Sequence, residues 1–261
     1  MKKNSIKYLA LLAMLPINAL MMALSSCSEK ENVEPDDNTV PSNCITVVAN
    51  GVKFRMIKVE AGTFQMGQGG DSSEVHQVTL TNDYYIGETE VTQQLWTAVM
   101  GFNPSSITDS NQFPVESVSW AGLNMFIKEL NEITGRSFRL PTEAEWEFAA
   151  RGGNASEGYA YSGSNTIDDV AWYYDNSSLK IHDVATKAPN ELGIYDMSGN
   201  VWEWCQDKYH SYSDSDVLDP NYWPLWVIRG GCWGSYAHGC HVAYRAGHAG
   251  SNSSTGFRLA L

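Results

Sequence analysis

Residues 139–153 read RLPTEAEWEFAARGG, and this stretch decides how the rest of the chain is read. Thr142 and Glu145, three positions apart, form a capping box, so a helix begins at Glu143. Gly152 and Gly153 end it. Glu143, Glu145 and Glu147 lie at the helix start, where carboxylates favour the dipole, and that role suffices for all three.

Two helices are predicted upstream. SVSWAGLNMFIKELNEIT (117–134) has Ser119 as its cap and places Trp120, Leu123, Phe126, Ile127 and Leu130 on one face. TQQLWTAVM (92–100) is shorter. Before them ITVVA (45–49), VKFRMIKV (52–59), GTFQMG (62–67) and QVTL (77–80) are runs of β-branched and aromatic residues broken by Gly and Asn, and they read as strands. Downstream, irregular stretches rich in Gly, Ser, Asn, Asp and aromatics extend to about residue 224. LWVIRGG (225–231) and TGFRLAL (255–261) then read as two closing strands. Loops that long inside one domain are functional, or are held by ions or disulfides.

With 261 residues and 43% hydrophobic composition the chain buries a full core as one domain. Its formal net charge of −13 repels phosphate backbones and anionic headgroups, which argues against a nucleic-acid partner. Lys2, Lys3 and Lys7 precede an apolar run from Tyr8 to Leu24, the form of an export signal. Leu24-Ser25-Ser26-Cys27 resembles a bacterial lipobox, whose cysteine carries the lipid. Residues 1–27 are therefore expected to be a lipoprotein signal ending at lipidated Cys27. Residues 28–44 follow as a flexible acidic tether and 45–261 as the folded domain. The expectation is an exported lipoprotein of the outer membrane or cell surface, touching the membrane only through its anchor.

Seven segments along the domain resemble, in order, the sulfatase-modifying-factor family, to which the formylglycine-generating enzyme belongs. They are VEAGTFQMG (59–67), VTLTNDYYIGETEVT (78–92), FPVESVSW (113–120), FRLPTEAEWEFAARGG (138–153), PNELGIYDMSGNVWEW (189–204), RGGCW (229–233) and GFRLA (256–260). The resemblance implies an α+β domain with little regular secondary structure, related to the C-type lectin fold and braced by calcium. By resemblance the calcium ligands are the side chains of Asp196 and Glu203 with the backbone oxygens of Gly199 and Val201, an oxygen-rich set of the kind calcium prefers. Asn176 is a candidate for the family's other calcium site.

The family's enzyme oxidises a cysteine within a Cys-x-Pro-x-Arg segment of sulfatases, using copper held by two thiolates with four residues between them. Cys240 matches the second thiolate, but the first position falls on Ser235, whose hydroxyl is a poor ligand for Cu(I). Cys240 is catalytic only if the oxidase activity survives that loss. A zinc site joining His238, His241 and His248 to Cys240 lacks standard ligand spacing. Export permits disulfides, and a Cys232–Cys240 bridge is expected.

Between Trp233 and Gly256 there is no Lys, Glu, Gln, Met or Trp, the five residues that codons of the form NNY cannot encode. This resembles the C-terminal variable region of proteins diversified by retroelements. It marks Gly234, Ser235, Tyr236, His238, Gly239, His241, Gly247 and His248 as contact positions. Arg229, Gly230, Gly231, Trp233, Tyr244, Arg245, Phe257 and Arg258 form the fixed frame. Tyr, His and small residues suit a recognition surface. The sequence thus supports a non-catalytic module presenting residues 234–255 to an unidentified ligand, with a protein among the candidates. Two alternatives stand beside it: an exported copper-dependent oxidase, and a structural part of an envelope complex.

Overall fold

The first two strands form where alternation and a tight turn agree. β1 (Cys44–Ala49) buries Val47 and Ala49 and turns Thr46 and Val48 outward. Asn50 and Gly51, both at positive φ (45° and 83°), return the chain into β2 (Val52–Val59), the two-residue hairpin that fits strand twist. β5 (Tyr84–Gly87) pairs antiparallel with the far edge of β2. β3 (Gly62–Met66) and β4 (His76–Leu80) form a separate hairpin. The computed structural model describes residues 43–67, 75–209 and 225–261, all within the unit Val40–Leu261. Cys27 and the signal lie outside the described residues. Cys44, expected at the end of the tether, is instead the first residue of β1, paired with Ile57.

Two of the three helices start at the caps expected of them, and α3 stops just before Gly152. α1 (Gln93–Met100) is capped by Thr92, and α2 (Trp120–Thr134) by Ser119 with left-handed Gly135 at its end. α3 (Glu143–Ala150) carries both hydrogen bonds of the Thr142/Glu145 capping box. α2 buries Leu123, Phe126 and Leu130, while Trp120 and Ile127 pack half-buried at the margin. One further turn, α4 (Ile167–Val170), lies in the irregular region.

A four-stranded sheet of order β8-β7-β6-β9 closes the domain. It comprises β6 (Trp202–Lys208), β7 (Trp226–Arg229), β8 (Arg245–His248) and β9 (Thr255–Gly256), with only the β6–β9 pair parallel. Periodicity did not mark β6 or β8. The predicted strand 255–261 is confined to Thr255 and Gly256. Past Gly256 the backbone bonds to several segments in turn, with Gly87 donating to Leu259, Tyr85 to Leu261, and Arg139 exchanging bonds with Ala260. A segment divided among partners forms bridges rather than a ladder.

The main core gathers Trp96, Phe126 and Phe257 between α1, α2 and the last segment, with the Trp96 and Phe126 rings stacked at 4.9 Å. A second cluster places Trp146 and Phe148 of α3 against Ile57, Ile86 and Val227. A third is small: Ala171, Tyr173 and Cys240.

Candidate functional site

The C-terminal third is held in place by buried arginines. Arg229, at the end of β7, is wholly buried. It pairs with Glu147 and donates to the carbonyls of Val242, Ala243 and Tyr244. Arg245, which opens β8, makes two 2.7 Å bonds to the carboxylate of Glu143. Arg258 binds both oxygens of Glu203 at 2.6 Å and reaches the carbonyls of Gly87 and Tyr195. Burying a guanidinium costs several kcal/mol unless it is paired and hydrogen-bonded, and each of these is both. Glu143 and Glu147 therefore do more than favour the helix dipole: one turn apart on α3, they hold the two arginines that bracket residues 230–244. Only Glu145 keeps the expected capping role, in which it also binds Arg139. The available signal was the spacing of Glu143 and Glu147, at i and i+4 on the side of Trp146 and Ala150.

Within this frame, Gly234, Ser235, Tyr236, His238, Gly239 and His241 come together around a 3-10 turn, Ala237–Cys240. Tyr236 is 69% exposed, and its ring lies 4.9 Å from that of Tyr174. His238 is exposed and approaches His241 (5.4 Å) and Tyr244 (5.0 Å), while His241 meets Tyr161 at 4.9 Å. The result is a surface of Tyr and His rings. Gly247 and His248 are not part of that turn; they lie on β8. A Cβ at Gly247 would meet the Tyr209 ring at 2.8 Å, and the half-buried His248 ring sits 5.3 Å from Trp204. Those two positions serve packing as much as presentation.

The cysteines depart from expectation. Cys232 and Cys240 are separate thiols, not a disulfide. Each has other company. The Cys232 sulfur is 3.5 Å from Ser235 Oγ and 3.4 Å from the Gly234 nitrogen, whereas Cys240 is fully buried against Ala171 and Tyr173. Burial, reinforced by nearby Cys232, pushes the Cys240 thiol up to about 12. Gly231, at φ 77°, is required here, since a Cβ would come within 2.7 Å of the Cys240 sulfur. These residues do not fit a Cu(I) site of the family type: one ligand position is Ser235, a hard hydroxyl whose Oγ accepts from the Cys232 nitrogen at 3.0 Å.

The predicted calcium ligands lie on the turn into β6. Asp196 (φ 58°) is buried and accepts from the Ala185 nitrogen at 2.7 Å. Glu203 is committed to Arg258 and to the Trp146 indole nitrogen, 2.7 Å away. The nitrogens of Gly199 and Val201 donate to Gly230 and Glu90. Among the described residues no group of three or more His, Cys, Asp or Glu side chains is arranged to hold a metal ion. The corner nevertheless gathers three buried carboxyl groups, Glu90, Asp196 and Glu203, around Arg258. Burial raises Glu90 well above the carboxylate range, with Asp196 and Glu203 adding to the shift, and burial lifts Asp196 to about 6. Carboxylate oxygens of this kind suit calcium, although Arg258 already takes both oxygens of Glu203. Asn176, the other candidate, turns its amide nitrogen to Asp168 and the Ala171 carbonyl and its oxygen to the Tyr173 nitrogen.

With this geometry in view, comparison with known proteins places the chain. The sulfatase-modifying factor enzyme 1-like domain matches residues 48–261. The chain belongs to this family. Its fold is the expected α+β domain of the formylglycine-generating-enzyme and C-type lectin-like kind, with modest regular structure. It is similar to the chaperone protein LppX of Paenibacillus barcinonensis, 34% identical over 254 residues, covering 78% of this chain and 87% of the relative. It is also similar to the formylglycine-generating enzyme of Streptomyces coelicolor, 29% identical over 245 residues, with 82% and 76% covered. Among solved structures, Treponema denticola variable protein 1 superposes with a TM-score of 0.75 at 35% identity, over 85% of this chain and 99% of that one.

Proposed function

We propose that this member of the family is a non-catalytic recognition module, which presents the aromatic surface around Tyr236, His238 and His241 to a ligand, most simply a protein. The observation that carries the reading is Ser235. The family's redox chemistry needs a soft thiolate pair, and here one position is a serine hydroxyl bonded to the Cys232 nitrogen, while Cys240 is buried against Ala171 and Tyr173. The same segment is anchored by three buried arginine–carboxylate pairs, and its exposed side chains are Tyr and His, a composition suited to binding. The similarity to a protein named variable protein 1 supports reading residues 234–255 as a diversified region. In this reading calcium braces the turn at Asp196, Gly199, Val201 and Glu203, and the chain is an exported lipoprotein anchored at Cys27.

Turnover of a Cys-x-Pro-x-Arg peptide in air, with copper supplied, tests the central claim. No oxidation is expected. Stoichiometric copper binding with formation of the aldehyde would establish an oxidase and overturn the reading.

A further inference from the structure

Outside residues 234–255, one other segment reaches the same surface. The arm from Ile167 to Lys180 and the turn Ala237–Cys240 share a single small cluster, in which Ala171, Tyr173 and Cys240 are buried and Tyr161, Ile167 and Ala237 pack around them. Two hydrogen bonds fix arm to loop: the Tyr174 nitrogen donates to the Ser235 carbonyl at 2.9 Å, and Ser177 Oγ donates to the Trp233 carbonyl at 2.6 Å. The arm and the loop are one structural unit, although the sequence separates them by about sixty residues.

The arm then adopts a conformation that needs a reason. Ser178 and Leu179 are consecutive non-glycine residues at φ 57°, in the left-handed region that side chains disfavour. The outcome is that Leu179 stands 54% exposed on the same arm as Tyr174, which is 43% exposed and touches Tyr236. Strained backbone that raises a leucine into water, on the arm that also carries exposed Tyr174, points to a partner rather than to stability. The rim supplies a sign: the arm holds three aspartates against one exposed lysine, Lys180. Asp168 and Asp175 lie close to the Tyr173 hydroxyl, and Asp169 follows Asp168 in α4. Lys187 is turned onto the Trp172 ring, and its ammonium donates to the Asp168 carbonyl. Residues 234–255 contain no carboxylate and no lysine, Arg245 is buried, and the whole chain carries −13. Tyrosine faces with carboxylates beside them attract cationic groups.

We infer that Tyr174 and Leu179 are fixed anchors of a composite recognition surface, completed by Tyr236 and His238, whose occupant is a basic segment of a partner protein that also carries apolar side chains. The inference rests on the recognition-module reading and adds residues that lie outside the candidate variable region. It also explains the burial of Cys240, whose sulfur joins the loop to the arm.

The test uses the full-length protein and two synthetic probes of equal length, an Arg-Leu repeat peptide and a Glu-Leu repeat peptide, titrated by fluorescence anisotropy. Tyr174→Ala, Leu179→Ala and Tyr236→Ala are compared with Met125→Ala, an equally exposed apolar residue on α2. Binding of the basic probe alone is expected, weakened about tenfold by each of the first three substitutions and unchanged by Met125→Ala. Loss with Tyr236→Ala, but not with Tyr174→Ala or Leu179→Ala, would confine the surface to residues 234–255 and overturn this inference while leaving the module reading intact. Equal binding of both probes would overturn the basic partner. If no substitution mattered, Tyr236→Ala included, the module reading would fail as well. Thermal melting of each variant confirms that the comparison is made between folded proteins.

Discussion

Glu147 and Arg229 form a fully buried ion pair across 82 residues of chain, joining the helix of the RLPTEAEWE block to the strand that leads into the recognition loop. Glu147 also accepts from the Gly67 nitrogen and from Arg151, so its carboxylate is the meeting point of three distant segments. Replacing it with Ala takes the short ion pair from buried Arg229, which keeps the longer 3.7 Å contact of its Nε with Glu143, and should cost about 3–5 kcal/mol of stability. Denaturant unfolding measures this directly. A loss below about 1 kcal/mol would mean that the carbonyls of residues 242–244 suffice for Arg229.

Tyr236 and His238 make the opposite prediction. Both are exposed, so changing them together to Ala should move stability by no more than about 0.5 kcal/mol while abolishing recognition. A melting temperature lowered as far as by a core substitution such as Phe126→Ala would show that the loop exists for packing.

Calcium makes a prediction at the turn into β6. If a cation offsets the charge of Glu90, Asp196 and Glu203, a chelator should lower the melting temperature by several degrees, and added calcium should restore it. Asp196→Asn should lose most of that response. An unchanged melting curve with chelator would remove calcium from the description of this domain.

Cys240 titrates with a definite sign. Its folded-state thiol is raised from 9.0 to about 12, so the neutral form is the one the fold favours. The associated stability is fully present below pH 9 and is lost as pH rises toward 12. Cys240→Ala should flatten the alkaline limb of the stability curve, and a curve of unchanged shape would count against a neutral buried thiol there. Under native conditions at pH 8, iodoacetamide should spare Cys240 and Cys205, both fully buried, while the unfolded chain labels at each cysteine. Recovery of a linked Cys232–Cys240 peptide without reductant would restore the disulfide that the structure lacks.

Local signals carried a large share of the fold. Thr142 with Glu145 and Ser119 before Trp120 each specify a cap within a few residues, and both appear where expected, while the break by Asn and Gly after ITVVA proves to be the Asn50-Gly51 turn. Strands β6 and β8 were not legible because their hydrogen bonds come from segments distant in sequence, and neither shows a clean two-residue alternation. The candidate site divides in the same way. Composition marked residues 234–255, but not the arm at Tyr174 and Leu179, whose place beside Ser235 depends on a contact between separate loops. Resemblance marked Asp196 and Glu203, yet not that Arg258 takes both oxygens of Glu203.

By itself the sequence determined the family, the capped helices, the early strands and the loss of one thiol at Ser235, since each is written in adjacent residues or in spacing along the chain. Only the tertiary structure decided the pairing of Arg229, Arg245 and Arg258 with Glu147, Glu143 and Glu203, the neutral burial of Cys240, and the joining of the arm to the loop. The reason is physical: charges and thiols take their properties from what surrounds them, and here those surroundings are assembled from parts of the chain far apart in sequence.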